Sequence, residues 1–227
     1  MSHELRTPLN AIAGHTQLLE LEIHGPVTAA QREALERIGK SQQHLLSVIN
    51  DVLNFAKLEA GRVEYEMTDV SLATVVGDVV AMLEPQVAGR GLSLTVDVGA
   101  HHSVRADPEK LRQILINLLS NAAKFTSPGG RITIDAPGRA PDAPPEPDER
   151  EVFLRVSDTG IGISRERQES VFDPFIQVDR DLTRNTEGTG LGLAISRDLA
   201  RGMGGELRVR SVEGKGSSFT LSLRRAD

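Results

Sequence analysis

The chain contains no cysteine and no tryptophan, and one tyrosine among its 227 residues. The missing cysteines exclude disulfides, thiolate metal sites and a cysteine nucleophile, and they are compatible with a reducing compartment. Aromatic residues make up only 3%, so any core has to be built from Leu, Ile, Val and Ala. No apolar run approaches the roughly 18 residues that a membrane span needs. The N-terminal MSHELRTP lacks the apolar stretch of a signal peptide. The expectation is a cytoplasmic chain with no membrane contact. No half of the chain is basic: residues 1–66 and residues 67–227 each carry three more acids than bases, within a total of −6. Nothing therefore points to nucleic acid. What is present is an ordinary globular composition, 39% hydrophobic and 26% charged, long enough for one large or two modest domains.

Two regions differ in build. Leu5, Leu9, Ile12, Thr16, Leu19 and Ile23 alternate four and three residues apart, a heptad-like helical seam. Gly25-Pro26 breaks it. Leu35, Ile38, Gln42, Leu45, Ile49, Val52 and Ala56 form a second seam that stops near Gly61. This predicts two long antiparallel helices over residues 1–66. A helical pair buries little by itself. Either a second copy completes a four-helix bundle, or the pair packs on its own C-terminal region.

From residue 67 the pattern mixes strands and helices. Strands are expected at Met67–Leu72, Leu92–Val98, Arg131–Asp135, Val152–Val156, Leu207–Arg210 and Ser218–Leu223. Helices are expected at Ala73–Ala88, Glu109–Lys124 and Leu191–Met203. Asp107 is the candidate N-cap of the second of these helices, with Pro108 at its first position. The sum is an α/β sandwich on a mixed sheet, residues 67–227. Pro137–Arg150 holds 5 of the 11 prolines and reads as a solvated loop or a polyproline docking segment.

Four clusters carry chemistry. In Ser2-His3-Glu4-Leu5-Arg6-Thr7-Pro8, His3 and Glu4 are adjacent, and Thr7 lies one turn beyond on the face of His3. An imidazole whose N–H is held by a carboxylate can be a nucleophile. Asn117, Asn121 and Lys124 form one polar stripe on an apolar helix. Amide oxygens suit Mg²⁺, and the lysine suits phosphate. Asp158-Thr159-Gly160-Ile161-Gly162 follows a strand, and its carboxylate could accept a hydrogen bond from an exocyclic amine. Gly188-Thr189-Gly190-Leu191-Gly192-Leu193 opens a helix, where free backbone N–H groups favour phosphate. It is neither a Walker loop nor the dinucleotide fingerprint. Val171–Thr186, around Phe172-Asp173-Pro174-Phe175, reads as a lid. Taken singly, each also fits a bland role: an exposed His–Glu pair, a solvated stripe, a strand-end turn. His15, His24, His44, His101 and His102 have no such neighbours and read as surface or packing residues.

Taken together and in this order, the motifs resemble the catalytic core of a two-component sensor histidine kinase, over nearly the whole chain. His3–Asn10 resembles the H box, Asn117–Phe125 the N box, and Asp158–Gly162 the first glycine box. Phe172–Phe175 resembles the F box, Gly188–Leu193 the second glycine box, and Gly214–Phe219 the closing strand motif. The resemblance implies a dimeric four-helix bundle over residues 1–66 and a Bergerat/GHKL-type ATP-binding domain over 67–227, with a flexible joint near Gly61–Glu66. It implies that His3 takes the γ-phosphoryl group of ATP, Glu4 accepts or orients its proton, and Thr7 positions water for dephosphorylation of the partner. Asn121 would bind Mg²⁺ with Asn117 beside the γ-phosphate. Lys124 would contact phosphate, Phe125 would flank the nucleotide, and Asp158 would read adenine with room given by Gly160 and Gly162. Gly188, Thr189, Gly190, Leu191 and Gly192 would line the phosphates. The partners implied are a second copy and a response regulator receiver domain. The chain starts two residues before His3 and ends at Asp227, which reads as an excised core without sensor or receiver. Related ATPases carry a Glu where Asn117 stands, and an amide is no base at neutral pH. This favours transfer over hydrolysis. The rivals are a GHKL-type ATPase clamp and a catalytically silent dimerisation or docking module.

Overall fold

The computed structural model describes residues 2–99, 102–137, 150–176 and 188–226, apart from the side chains of Ser2, His3 and Leu5. Most of the proline-rich loop, most of the expected lid and His101 lie outside the described residues. The chain divides into two compact units, Met1–Arg62 and Val63–Asp227.

The first unit is a helical hairpin, α1 (Ser2–Glu20) and α2 (Ala29–Glu59). The turn is fixed by local chemistry. Glu22 and Gly25 take positive φ, and Thr28 and Gln31 form a capping box at the start of α2. There the Gln31 side chain accepts from the Thr28 N–H at 2.8 Å, satisfying donors the helix start would otherwise leave open. Gln42 donates to the Leu9 carbonyl at 3.4 Å, and Arg6 to Asn50 at 3.0 Å, which sets the antiparallel register. The expected seams split into two. Leu9, Thr16 and Leu35 are buried between the helices, whereas Ile12, Leu19, Ile38, Leu45 and Val52 remain 40–47% exposed.

The second unit runs β1 (Thr68–Ser71), α3 (Leu72–Gly89), β2 (Ser93–Asp97), β3 (Ser103–Ala106), α4 (Pro108–Phe125), β4 (Arg131–Asp135), β5 (Glu151–Asp158), two single turns of 3₁₀ helix, α5 (Gly192–Gly202), β6 (Glu206–Val212) and β7 (Gly216–Arg224). The five-stranded sheet has the order β2-β4-β5-β7-β6. β2 and β4 are parallel and the other pairs antiparallel, so the sheet is mixed as expected. The five main apolar residues of α4 (Leu111, Ile114, Leu115, Leu118, Leu119) are at most 1% exposed, as are Ile132, Ile134, Leu154 and Leu221 of the sheet. α3 is the one described helix long and apolar enough to cross a membrane. Its Val75, Val76 and Val79 are buried, and it packs on α4, which accounts for its hydropathy within a core.

Two features went unread in the sequence. β3 pairs antiparallel with β1, yet its four residues SVRA are too short for periodicity to register. Residues 63–66 go with the second unit, four residues ahead of the expected break. The Glu66 N–H donates to Asp107 Oδ2 at 3.0 Å, and Tyr65 packs so tightly on Gly202 that any Cβ there would meet its ring.

Asp107 thus joins two elements. Its Oδ1 also accepts from the N–H groups of Glu109 at 2.9 Å and Lys110 at 3.1 Å. Burial pushes its pKa up, but the three backbone donors outweigh this and hold the carboxyl below its usual value. The folded pKa is below the unfolded one, so the ionised group stabilises the fold at neutral pH. That contribution fades as pH falls through the lowered value. Asp107→Ala is expected to cost about 1–2 kcal/mol in urea unfolding at neutral pH. The gap to wild type should close in the same titration below about pH 4.

Candidate functional site

α4 is apolar on one face and carries Asn117, Asn121 and Lys124 on another. All three are half-buried. Asn121 Nδ2 donates to Asn117 Oδ1 at 3.4 Å, and Asn117 Nδ2 donates to Ser196 Oγ on α5 at 2.9 Å. The Asn121 amide oxygen has no partner among the described residues. Lys124 Nζ lies 5.0 Å from the centroid of the Phe125 ring.

Both glycine motifs reach α4. Asp158 ends β5, and its Oδ1 accepts from the Gly160 N–H at 2.8 Å. The Ile161 N–H then donates to the Phe125 carbonyl at 3.2 Å, hooking the turn onto the end of α4. A Cβ on Gly160 would run into that carbonyl, and Gly162, at φ +70°, fits against the Val212 carbonyl. Burial pushes the Asp158 pKa up, against the pull of the Gly160 and Ser217 N–H groups. The second motif sits on the other side. A Cβ on Gly188 would stand 2.9 Å from Lys124 Nζ, and one on Gly192 would collide with Asn117 Oδ1. Gly190, at φ +71°, lets its carbonyl accept from the Phe175 N–H at 3.0 Å. Thr189 Oγ1 accepts from the Leu191 N–H at 3.2 Å, and buried Leu191 leads into α5 without a side-chain cap. The first N–H groups of α5 are therefore open to an anion.

A cleft of about 680 Å³ lies beside Asp158, lined by Arg165, Gln168, Ser211 and Lys215 among others. It shares only Asp158 with the expected site. In the first unit, Glu4 and Thr7 are exposed on α1. Pro8, inside this helix, has no N–H to offer the Glu4 carbonyl. Two residues were missed. Ser196 stands one turn after Gly192, a spacing the sequence displayed without saying what faced it. Arg197 donates to the Phe172 carbonyl at 3.3 Å and stacks 5.0 Å over the Phe172 ring, anchoring the F-box turn.

No cluster of three or more His, Asp or Glu suited to a metal occurs among the described residues. The unpartnered Asn121 oxygen fits a Mg²⁺ ion that takes its remaining ligands from water and phosphate.

These elements define a GHKL-type nucleotide fold preceded by a histidine-bearing hairpin. Residues 106–227, more than half of the chain, match the histidine kinase-, DNA gyrase B- and HSP90-like ATPase family. Residues 1–61 match the His Kinase A phospho-acceptor domain. The chain belongs to this family as the catalytic core of a sensor histidine kinase. It is 40% identical over 225 residues to an uncharacterized sensor-like histidine kinase of Rhizobium meliloti, covering 98% of the chain and 41% of the relative. It is 40% identical over 224 residues to the circadian input-output histidine kinase CikA of Synechococcus elongatus, covering 97% and 28%. The chain thus spans less than half the length of these relatives. Among solved structures, full-length ShkA in complex with AMPPNP aligns with TM-score 0.80 and 34% identity, over 99% of this chain and 44% of that one. AdeS of Acinetobacter baumannii shares the fold, with TM-score 0.66 at 22% identity.

Gly160→Ala and Gly77→Ala should separate close approach from helix propensity. The first drives a Cβ into the Phe125 carbonyl, whereas Gly77 in α3 has nothing within 4 Å. Urea midpoints are expected to show a loss of about 1–3 kcal/mol for Gly160→Ala and a gain of about 0.5–1 kcal/mol for Gly77→Ala.

Proposed function

We propose that this chain binds Mg-ATP in the second unit, phosphorylates its own His3, and passes the phosphoryl group to an aspartate of a response regulator receiver domain. The observation that carries this is the convergence of both glycine motifs on α4, in a chain that also has a phospho-acceptor hairpin. In this reading Asp158 accepts a hydrogen bond from the adenine exocyclic amine. Gly160 and Gly162 let the base approach, and Phe125 flanks it. Lys124 and the N–H groups of the Gly188–Gly192 segment hold phosphate oxygens, with Thr189 and Leu191 shaping that segment. Asn121 Oδ1 would hold Mg²⁺, which when bound offsets phosphate charge.

The reaction is in-line transfer. A ring nitrogen of His3 forms a bond to the γ-phosphorus while the bond to the β–γ bridging oxygen breaks and ADP leaves. The proton that the imidazole can no longer keep goes to, or is oriented by, the Glu4 carboxylate. Such transfer needs positioning and charge neutralisation more than covalent help. Asn117 supplies no base, since an amide does not accept a proton at neutral pH, so water is a poor competitor. Thr7, on the His3 face, would position water when the phosphorylated regulator is dephosphorylated.

The exposed strip of Ile12, Leu19, Ile38, Leu45 and Val52 supports a homodimer through the hairpin, residues 1–66, as apolar faces of this kind seek a partner. ATP as substrate is consistent with a cytoplasmic setting.

Incubation with γ-labelled ATP should give an acid-labile, base-stable label on the wild type and none on His3→Gln. An acid-stable label, or one that survives His3→Gln, contradicts the assignment.

A further inference from the structure

The two amides of the α4 stripe bond to each other, and a partner on α5 holds the pair. Asn117 is held from α5, where Ser196 Oγ accepts from its Nδ2 at 2.9 Å. Ser196 is 1% exposed, so water does not compete for this bond. With its nitrogen committed to Ser196, Asn117 turns its oxygen toward Gly192 and Asn121. The absence of a side chain at Gly192 leaves room for that oxygen, which any Cβ there would strike. The oxygen then accepts from Asn121 Nδ2 at 3.4 Å. This in turn leaves Asn121 Oδ1 as the outward end of its amide, with no partner among the described residues.

If Asn117 were reversed, its nitrogen would face Asn121. Asn121 would then have to turn its own oxygen inward, and an N–H pair would point outward at the place where a cation is expected. In the arrangement seen, the α5 hydroxyl accepts from Asn117, and this goes with the oxygen end of the Asn121 amide facing out.

We propose that Ser196 is a positioning residue that, through Asn117, keeps the Asn121 amide oxygen turned toward the Mg²⁺ of the bound nucleotide. The inference rests on the Mg-ATP reading above and adds to it a residue outside every motif of the chain. It also links α5 to α4. α5 opens with the expected phosphate loop and, one turn later, sets the amide geometry of α4, so the phosphate and metal halves of the site are aligned by one element. Outer partners that orient a metal ligand typically matter about 10–100-fold in metal affinity.

Calorimetric titration of the full chain with a non-hydrolysable ATP analogue, in Mg²⁺ and in EDTA, tests this. The readout is the gain in affinity that Mg²⁺ brings. In Ser196→Ala that gain should fall about tenfold or more, while the affinity in EDTA and the thermal midpoint stay near wild type. Ser196→Cys fills the same space with a weak acceptor and should behave like Ser196→Ala. It also serves if the alanine variant does not fold. Ser196→Thr keeps the oxygen and should keep the gain. A full Mg²⁺ gain in Ser196→Ala or Ser196→Cys overturns the proposal, as does an equal loss with and without Mg²⁺, which marks plain packing. A wild type that binds no analogue in either condition sinks the nucleotide reading itself, and this inference with it.

Discussion

Helix α4 cannot turn about its axis, and the site depends on that. Leu111, Ile114, Leu115, Leu118 and Leu119 are sealed in the core. At about 1.5–3 kcal/mol for each large aliphatic side chain buried, a rotation that exposed even two of them would consume much of a domain's usual stability. Its start is held by Asp107 and its end by the Ile161 N–H on the Phe125 carbonyl. A helix fixed at both ends and along one face has only one direction left for Asn117, Asn121 and Lys124. The glycine motifs then close on α4 because they lack side chains where the helix comes nearest.

Amide chemistry explains why such a site would move a phosphoryl group to a side chain rather than to water. Asn117 stands where a carboxylate would serve as base, and its nitrogen is already engaged with Ser196. In the proposed reading the site grips and neutralises phosphate without activating a nucleophile of its own. In that reading the nucleophile comes from the hairpin, whose sequence carries a histidine followed by a carboxylate and, one turn on, a hydroxyl.

The sequence revealed most of what periodicity and punctuation can carry. The heptad seams gave the hairpin, Asp107-Pro108 gave the start of α4, and the order of motifs gave the family. It concealed what depends on contact across long separations. β3 is defined by its pairing with β1, since four residues hold no period. The border between units follows from Glu66 on Asp107 and Tyr65 on Gly202, pairings 41 and more residues apart. Ser196 reads as one more small residue on a helix until Asn117 is seen opposite it. The split of each seam into a less and a more exposed side was equally invisible, because both sides share one alternating three-and-four spacing.

The hairpin and the nucleotide unit make one machine only if the gripped phosphoryl group is kept from water and delivered to the imidazole. The most direct measurement is the partition of labelled γ-phosphate between protein and free inorganic phosphate during the first turnover and afterwards. The account predicts label accumulating on protein toward one per chain, with free phosphate lagging well behind and label and free phosphate both collapsing in His3→Ala. Steady multiple-turnover release of phosphate that is indifferent to His3→Ala would contradict it.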